Sequence, residues 1–335
     1  MRSGPANSLT DVPGLRVGHA SLTGAGALSG TTVVLAPPDG MVAGVDVRGA
    51  APATRETDLL DPGAMIQRVH ALVFSGGSAY GLAAAGGVVE RLEAAGTGFP
   101  VPGGVVPIVP GACLFDLGRG GDFTARPDAA TGAAAHDAAH SGRVGQGSVG
   151  AGTGAVCGGL AGGVGTASAV LEGPGVDGAV VAALVIANAV GTGVDPLTGR
   201  PLGIRFGLRG EFPDFTVGVE VKHELQAPAR MPFPGTATTL AVLATDITLD
   251  KAGCGRLAAM GHDGLARTIA PVHTIMDGDA VFGVSTAARP PVDPPGTFLL
   301  QATAADVVAR AMAHALLAAR TTVAARSYSE IAGLR

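Results

Sequence analysis

Two adjacent threonines, Thr238 and Thr239, stand at the head of a short apolar run, Leu240 to Ala244, shortly after the turn-forming Pro234-Gly235. Apolar runs of this length bounded by turn residues form fully buried strands. A hydroxyl at the first position lies at the rim of a sheet, where the preceding loop can be opened or cut without dismantling the core. Thr238 is therefore a candidate nucleophile, although threonine also suits an ordinary strand position. Asp277 and Asp279 flank a single glycine. In extended backbone, residues two apart point the same way, so the two carboxylates can be presented toward one point; a solvated Asp-Gly-Asp turn is the other reading. Asn188 ends a long apolar run, Asp177 to Asn188, where its side-chain NH₂ can donate to an oxyanion or cap the following turn.

Other chemistry-bearing spacings are weaker. Ser78 follows a strand and two glycines, in an order resembling a nucleophile elbow or an anion-binding helix start. Gly-x-Ser-x-Gly would need glycine where Tyr80 stands, and a phosphate loop would need GK[ST] or GxGxxG, so close backbone packing at a site wall is the better reading. His136 and His140 are four apart in an Ala-rich stretch expected to be a surface helix. The glutamate of HExxH is missing between them, and a solvated face is expected.

The elements that must position these groups read as follows. Strands are expected at Asn7 to His19, Thr31 to Ala36, Met41 to Val47, Ala71 to Phe74 and Ala280 to Ser285, with a hairpin turn at Asp39-Gly40. Helices are expected from Leu82 to Ala95, from a Thr248 cap to Thr268, and from a Thr303/Asp306 capping box to Thr322. Arg48 to Leu60 reads as a surface or site-lining loop. Pro201 to Pro234 reads as the loop leading to the candidate nucleophile.

With 335 residues, 54 glycines and only 15% charged side chains, the chain reads as one large domain with many tight turns and small packing residues. A net charge of −5 and scattered basic residues provide no face for nucleic acid. There are only two lysines, Lys222 and Lys251. The three cysteines, Cys113, Cys157 and Cys254, form no CxxC pair, so neither a disulfide framework nor a zinc site is indicated and a cytoplasmic location is expected. Neither the N-terminus nor the glycine-dense stretch from Val144 to Leu171 has the character of a membrane segment.

Several gapped stretches, in order along nearly the full length, resemble one family. They are Asn7-Ser-Leu-Thr-Asp-Val-Pro-Gly with Val17-Gly-His19, Arg55-Glu-Thr-Asp58, Gly76-Gly-Ser-Ala-Tyr-Gly-Leu82, Gly150-Ala-Gly-Thr-Gly154 with Gly162-Gly-Val-Gly-Thr-Ala-Ser168, Thr238-Thr239 before Ala244-Thr-Asp246, His262-Asp-Gly-Leu-Ala-Arg267, and His273-Thr with Asp277-Gly-Asp279. The chain is similar to the self-processing N-terminal-nucleophile amidohydrolases that include L-aminopeptidase/D-esterases, β-aminopeptidases and nylon-oligomer hydrolases. That resemblance implies a four-layer α/β/β/α sandwich, cut before its nucleophile into residues 1–237 and 238–335, which stay together in a homo-oligomer of four or more copies. It also implies Thr238 as nucleophile, Asp277 and Asp279 as orienting carboxylates, and Asn188 as a site residue. The substrate implied is a small peptide or amide, with an ω-amide of the nylon-oligomer type as the alternative. No metal or organic cofactor is implied, because the chain's own hydroxyl, amine and carboxylates supply the reacting groups.

Two positions depart from the family pattern. Ala161 stands where a lysine is usual, and Ala237 where asparagine or glycine usually precedes the nucleophile. The first departure removes a cation; the second removes a residue that tolerates strained backbone. Slow self-cleavage, or an uncut and catalytically impaired homologue, is the expectation these changes raise.

Overall fold

A computed structural model of the protein describes residues 1–225 and 237–334. The last part of the expected Pro201 to Pro234 loop and the Pro234-Gly235 turn therefore lie outside the described residues. In chain order the strands are β1 (Arg16–Gly24), β2 (Ala27–Leu35), β3 (Val42–Val47), β4 (Ala53–Arg55), β5 (Ala71–Ser75), β6 (Phe99–Val101), β7 (Gly104–Val106), β8 (Gly111–Cys113), β9 (Val156–Cys157), β10 (Leu160–Ala161), β11 (Val164–Val170), β12 (Val180–Ile186), β13 (Leu240–Ile247) and β14 (Ala280–Arg289). The helices are α1 (Ala84–Ala94), α2 (Ala129–Asp137), α3 (Val219–Leu225), α4 (Lys251–Ala266), α5 (Pro294–Ala318) and α6 (Tyr328–Ile331).

One sheet runs β1-β2-β5-β8-β4 and a second runs β11-β12-β13-β14-β3; β6 with β7 and β9 with β10 make small ribbons. In the second sheet every pairing is antiparallel except that of β13 with β14. Every residue of β12 and β13 is buried, as expected for strands covered on both faces. Alternation divides their side chains. Leu184, Val242 and Phe282 join Val34, Leu72 and Phe74 of the first sheet in one core between the sheets. Phe74 and Phe282 meet there edge to face, with centroids 5.6 Å apart.

On the outer side, Ala183, Ala241 and Leu243 pack against Leu257 of α4 and Val308 and Met312 of α5. On the far face of the first sheet, Val33 and Val73 pack with Ala84 and Val88 of α1 and Ala135 of α2. The order of layers is helix, sheet, sheet, helix, which is the four-layer sandwich that the resemblance implies. The helices sit very close to the sheets because glycine lies beneath them: a Cβ on Gly165 would fall 2.0 Å from Ala311 O, and one on Gly283 would fall 2.1 Å from Cys254 O.

Three local expectations are corrected. The Asp39-Gly40 segment is not a hairpin turn, because β2 belongs to the first sheet and β3 to the second. The paired prolines before it cannot donate ladder hydrogen bonds, and Met41 bridges to Val69 instead. Asp250, whose side chain accepts from Gly253 N, caps α4. Thr248 is occupied otherwise, donating its hydroxyl to Arg289 O. Helix α5 begins at Pro294 behind the Asp293 cap, leaving Thr303 buried in its interior. Pro294-Pro295-Gly296 looks like a breaker, yet proline is well tolerated in a first helical turn.

The Asn7-Ser-Leu-Thr-Asp stretch fastens the N-terminus to the second sheet. Asn7 Oδ1 accepts from Ser168 N and Arg310 Nη2, while Asp11 accepts from Ser168 Oγ. Buried Arg310 forms a two-pronged pair with Glu211 at 2.6 and 2.9 Å. Burial works to raise the Glu211 pKa, but hydrogen bonds from His314 and Arg310 outweigh it and hold the carboxyl down to about 2.

Two outcomes are expected. Phe282→Ala should cost about 3–5 kcal/mol in urea unfolding, because it empties the centre of the inter-sheet core. Stability should also fall on acidification in two windows. Burial holds His19 and His262 down to about 4, so the unfolded chain binds their protons first and stability is lost as pH falls from about 6.5 to about 4. Glu211, also lowered, adds a loss between about 4.5 and about 2. Urea midpoints measured across this range check both.

Candidate active site

The parallel pairing of β13 with β14 builds the site. Leu240 is opposite Ala280, and just before the strands Ala237 bridges Asp277 in the same parallel sense. Thr238 is thereby set beside Gly278, with Asp277 and Asp279 on either side. Thr238, Thr239, Asp277, Asp279 and Asn188 are all buried.

Thr238 is held through its backbone and its hydroxyl. Its N–H donates to Asn188 O at 2.6 Å, and its Oγ1 donates to Ala237 O, also at 2.6 Å. The Ala237 carbonyl accepts a second hydrogen bond, from Gly278 N at 3.0 Å. The bond that would be cut thus has its carbonyl oxygen between the candidate nucleophile and a backbone donor. Gly278 has to be glycine: a Cβ there would fall 2.7 Å from Thr238 Oγ1 and 2.5 Å from Ala51 O. The second contact comes from the Arg48 to Leu60 loop, which lines the site at this point, the second of the two readings its sequence left open. Its Arg48 and Gly49 N–H groups donate to Asp279 O, and Ala51 N donates to Asp277 O.

The carboxylates have separate partners. Asp277 accepts from Thr274 N and Oγ1 at 2.9 and 2.6 Å and from Val190 N at 3.4 Å. Asp279 accepts from Thr239 N at 2.6 Å and meets His273 Nδ1 at 2.7 Å. Both therefore touch the His273-Thr274 turn, Asp279 braces the Thr239 backbone next to Thr238 and Asp277 braces Val190, two residues beyond the Asn188 carbonyl that holds Thr238 N, rather than the two meeting at one point on the Thr238 side chain. Among the described residues, Thr239 Oγ1 is buried without a hydrogen-bond partner.

Asn188 follows β12, as its position after the apolar run requires. Its Oδ1 accepts from Val156 N at 3.0 Å and from Arg119 Nη1 at 2.5 Å, and its Nδ2 donates to Phe115 O at 3.3 Å. Arg119 was not singled out from sequence. Its guanidinium also donates to Gly154 O at 2.7 Å, and burial brings its pKa down to about 10 while Asp116 works the other way. Asp116, pushed up to about 6 by burial, accepts from Gly77 N. A cation therefore does reach the site, although position 161 is alanine. The available signal was an arginine within Gly118-Arg-Gly-Gly121, flanked by Asp116 and Asp122.

The weaker candidates fall elsewhere. Ser78 sits in the turn Ser78–Ala83, its N–H on Leu114 O; the adjoining Gly77 reaches the site only through Asp116. His140 lies beyond the end of α2, and His136 contacts Asp137, so the two histidines do not share a helical face. Among the described residues no group of three or more His, Cys, Asp or Glu could hold a metal ion. Among the same residues, no helix is long and apolar enough to cross a membrane.

Comparison with known proteins supplies the wider setting. The sequence matches the model of peptidase family S58 over residues 7–329. An uncharacterized aminopeptidase of Mycobacterium leprae (strain TN) is 46% identical over 357 residues, covering 98% of this chain and 95% of the relative. A 6-aminohexanoate-oligomer endohydrolase of Kocuria sp. (strain KY2) is 32% identical over 297 residues, covering 82% of this chain and 74% of that one. The L-aminopeptidase D-Ala-esterase/amidase of Ochrobactrum anthropi, described as a variant of the Ntn-hydrolase fold, matches with a TM-score of 0.73 at 25% identity, over 95% of this chain and 88% of that one.

The contact at residue 278 makes a sharp test. Gly278→Ala should displace the Thr238 hydroxyl and lower amide hydrolysis by on the order of 10²-fold, the scale expected for a misplacement of about 1 Å. Unchanged release of p-nitroaniline from aminoacyl p-nitroanilides would show that this packing is absent from the working enzyme.

Proposed function

Because the chain belongs to peptidase family S58 and is an amide hydrolase of the aminopeptidase type, we propose that it works with Thr238 as an N-terminal nucleophile, freed by scission of its own Ala237-Thr238 bond. The observation that carries this reading is the Ala237 carbonyl, held between the Thr238 hydroxyl and Gly278 N–H. The hydroxyl oxygen adds to the carbonyl carbon, and Gly278 N–H stabilises the charge that develops on oxygen. The C–N bond breaks as the nitrogen takes the hydroxyl proton, and water hydrolyses the resulting ester. Residue 238 then carries a free amine.

In turnover that amine is the general base for its own Oγ. The substrate carbonyl takes the place vacated by Ala237, with its oxygen on Gly278 N–H, and the second N–H of the Asn188 amide is assigned to the same oxyanion. The amine gives its proton to the leaving group, and water releases the acyl product. Asp277 and Asp279 hold the amine end of residue 238 through the backbone they brace, and Arg119 fixes the Asn188 amide. A cavity of about 270 Å³ adjoins Val190 and is walled by Val194, Asp195, Lys222 and Pro271. It suits a single residue-sized group, which favours an N-terminal residue or small amide as substrate. The second reading, an ω-amide hydrolase, is favoured by the similarity to the 6-aminohexanoate-oligomer endohydrolase.

Ala237 offers no relief of backbone strain at the scissile bond, so self-cleavage is expected to be slow. Intact-mass spectrometry should show the pieces 1–237 and 238–335 accumulating over time, and no cleavage in Thr238→Ala. A new N-terminus at Thr239 would refute the assignment of the nucleophile. Asp277→Asn should lower turnover by on the order of 10²-fold or more, whereas a chelator should leave it unchanged; loss of activity to the chelator would refute a metal-free mechanism.

A further inference from the structure

Two stretches recognised in the sequence, His262-Asp-Gly-Leu-Ala-Arg267 and His273-Thr, have histidines to which the proposed reaction gives no task, yet these histidines meet. His262 Nδ1 and His273 Nε2 are 3.2 Å apart, with the rings edge to face at 4.6 Å between centroids. The outer nitrogens continue the chain at both ends. His262 Nε2 lies 2.8 Å from Asp46 O, and His273 Nδ1 lies 2.7 Å from Asp279 Oδ2. Asp279 Oδ1 in turn accepts from Thr239 N at 2.6 Å. An unbroken line of hydrogen bonds runs from the β3 backbone to the peptide that adjoins the nucleophile.

The proton positions along this line follow from what each atom can do. A carbonyl only accepts, so His262 Nε2 carries a hydrogen. His262 is fully buried and stays neutral down to about pH 4 because burial penalises its cation. Its Nδ1 is then an acceptor, which obliges His273 Nε2 to donate. The 2.7 Å contact between His273 Nδ1 and Asp279 holds one further proton, so the histidine and carboxyl together are electrically neutral wherever that proton sits. His273 takes φ +53°, in the left-handed region uncommon for a residue with a side chain. The backbone is thus strained at the residue that delivers this proton. The surrounding titratable and charged groups are Asp46 and Arg48, themselves paired at 3.0 Å, the Asp277 carboxylate on the Thr274 turn, and the Cys157 thiol, pushed up to about 12 by burial and so uncharged.

We propose that His273, oriented by His262, is a positioning residue that keeps Asp279 charge-balanced and thereby keeps the Thr238 amine basic enough to accept a proton yet unprotonated when the substrate arrives. This rests on Thr238 as the N-terminal nucleophile. A lone carboxylate beside the amine would favour its ammonium form, as an opposite charge within a few ångströms does, and an ammonium cannot act as a base. Neutralised by the His273 proton, Asp279 still accepts from the 238–239 backbone without adding net charge.

The test separates charge from shape. His273→Asn keeps a short donor within reach of Asp279 and cannot carry charge. It is expected to move the acid limb of the kcat/KM profile upward by about one pH unit, with roughly tenfold loss on that limb and recovery at high pH. A profile identical to that of the unaltered enzyme would overturn the proposal. Nitrogen-15 NMR of the histidine rings in the full protein provides a second readout that needs no turnover. At neutral pH it should show His262 protonated on Nε2 alone and a strongly deshielded proton at His273 Nδ1 that disappears in Asp279→Asn. A proton on His262 Nδ1 would overturn the proposal. Activity surviving in Thr238→Ala would instead refute the nucleophile, whereas an inactive Thr238→Ala alongside an unshifted His273→Asn would refute the dyad alone.

Discussion

The site depends on one pairing, the parallel contact of β13 with β14. Register alone aligns residues 237–239 with 277–279, and the geometry around Thr238 follows from that alignment: a backbone donor from Gly278 on the Ala237 carbonyl and an aspartate on each side of Gly278. Parallel strands carry helices across their faces, and here α4 and α5 cover the outer face while the first sheet covers the inner one. The strand ends are consequently fixed from both sides, which gives the Thr238 hydroxyl a defined place.

Burial at this depth imposes its own demands. A carboxylate out of water has to be hydrogen-bonded or paired, and the Asp277 and Asp279 partners come from three different segments: the 188–190 turn, the head of β13 and the 273–274 turn. Arg119 obeys the same rule, with its guanidinium on the Gly154 carbonyl and the Asn188 amide. These contacts do two jobs together, compensating desolvation and fixing distances. Among the described residues Thr239 Oγ1, one residue from the candidate nucleophile, and Asp116 Oδ2 are buried with no such partner.

The scarcity of large side chains has a structural use. Helices are drawn down onto strands where glycine removes the Cβ, as at Gly165 under Ala311 and Gly283 under Cys254. The same economy lets the Arg48 to Leu60 loop press against Gly278. Small residues thus account for both the tight layering and the close approach of backbone around Thr238.

What could be read from the sequence was local or carried by resemblance. The uninterrupted apolar runs of β12 and β13 announced buried strands, and ordered stretches along the chain implied the four-layer sandwich and pointed to Thr238, Asn188, Asp277 and Asp279. Capping errors at Thr248 and Thr303, and the false hairpin at Asp39-Gly40, arose where short-range signals compete and only packing selects between them. The link from Arg119 to Asn188 and the line His262-His273-Asp279 could not be read at all, because each joins residues on different elements whose approach is set by sheet register and not by spacing. A residue type and its neighbours determine which chemistry is available. Which groups come within hydrogen-bonding distance, and therefore where protons and charge reside, is decided only when strands pair and layers close.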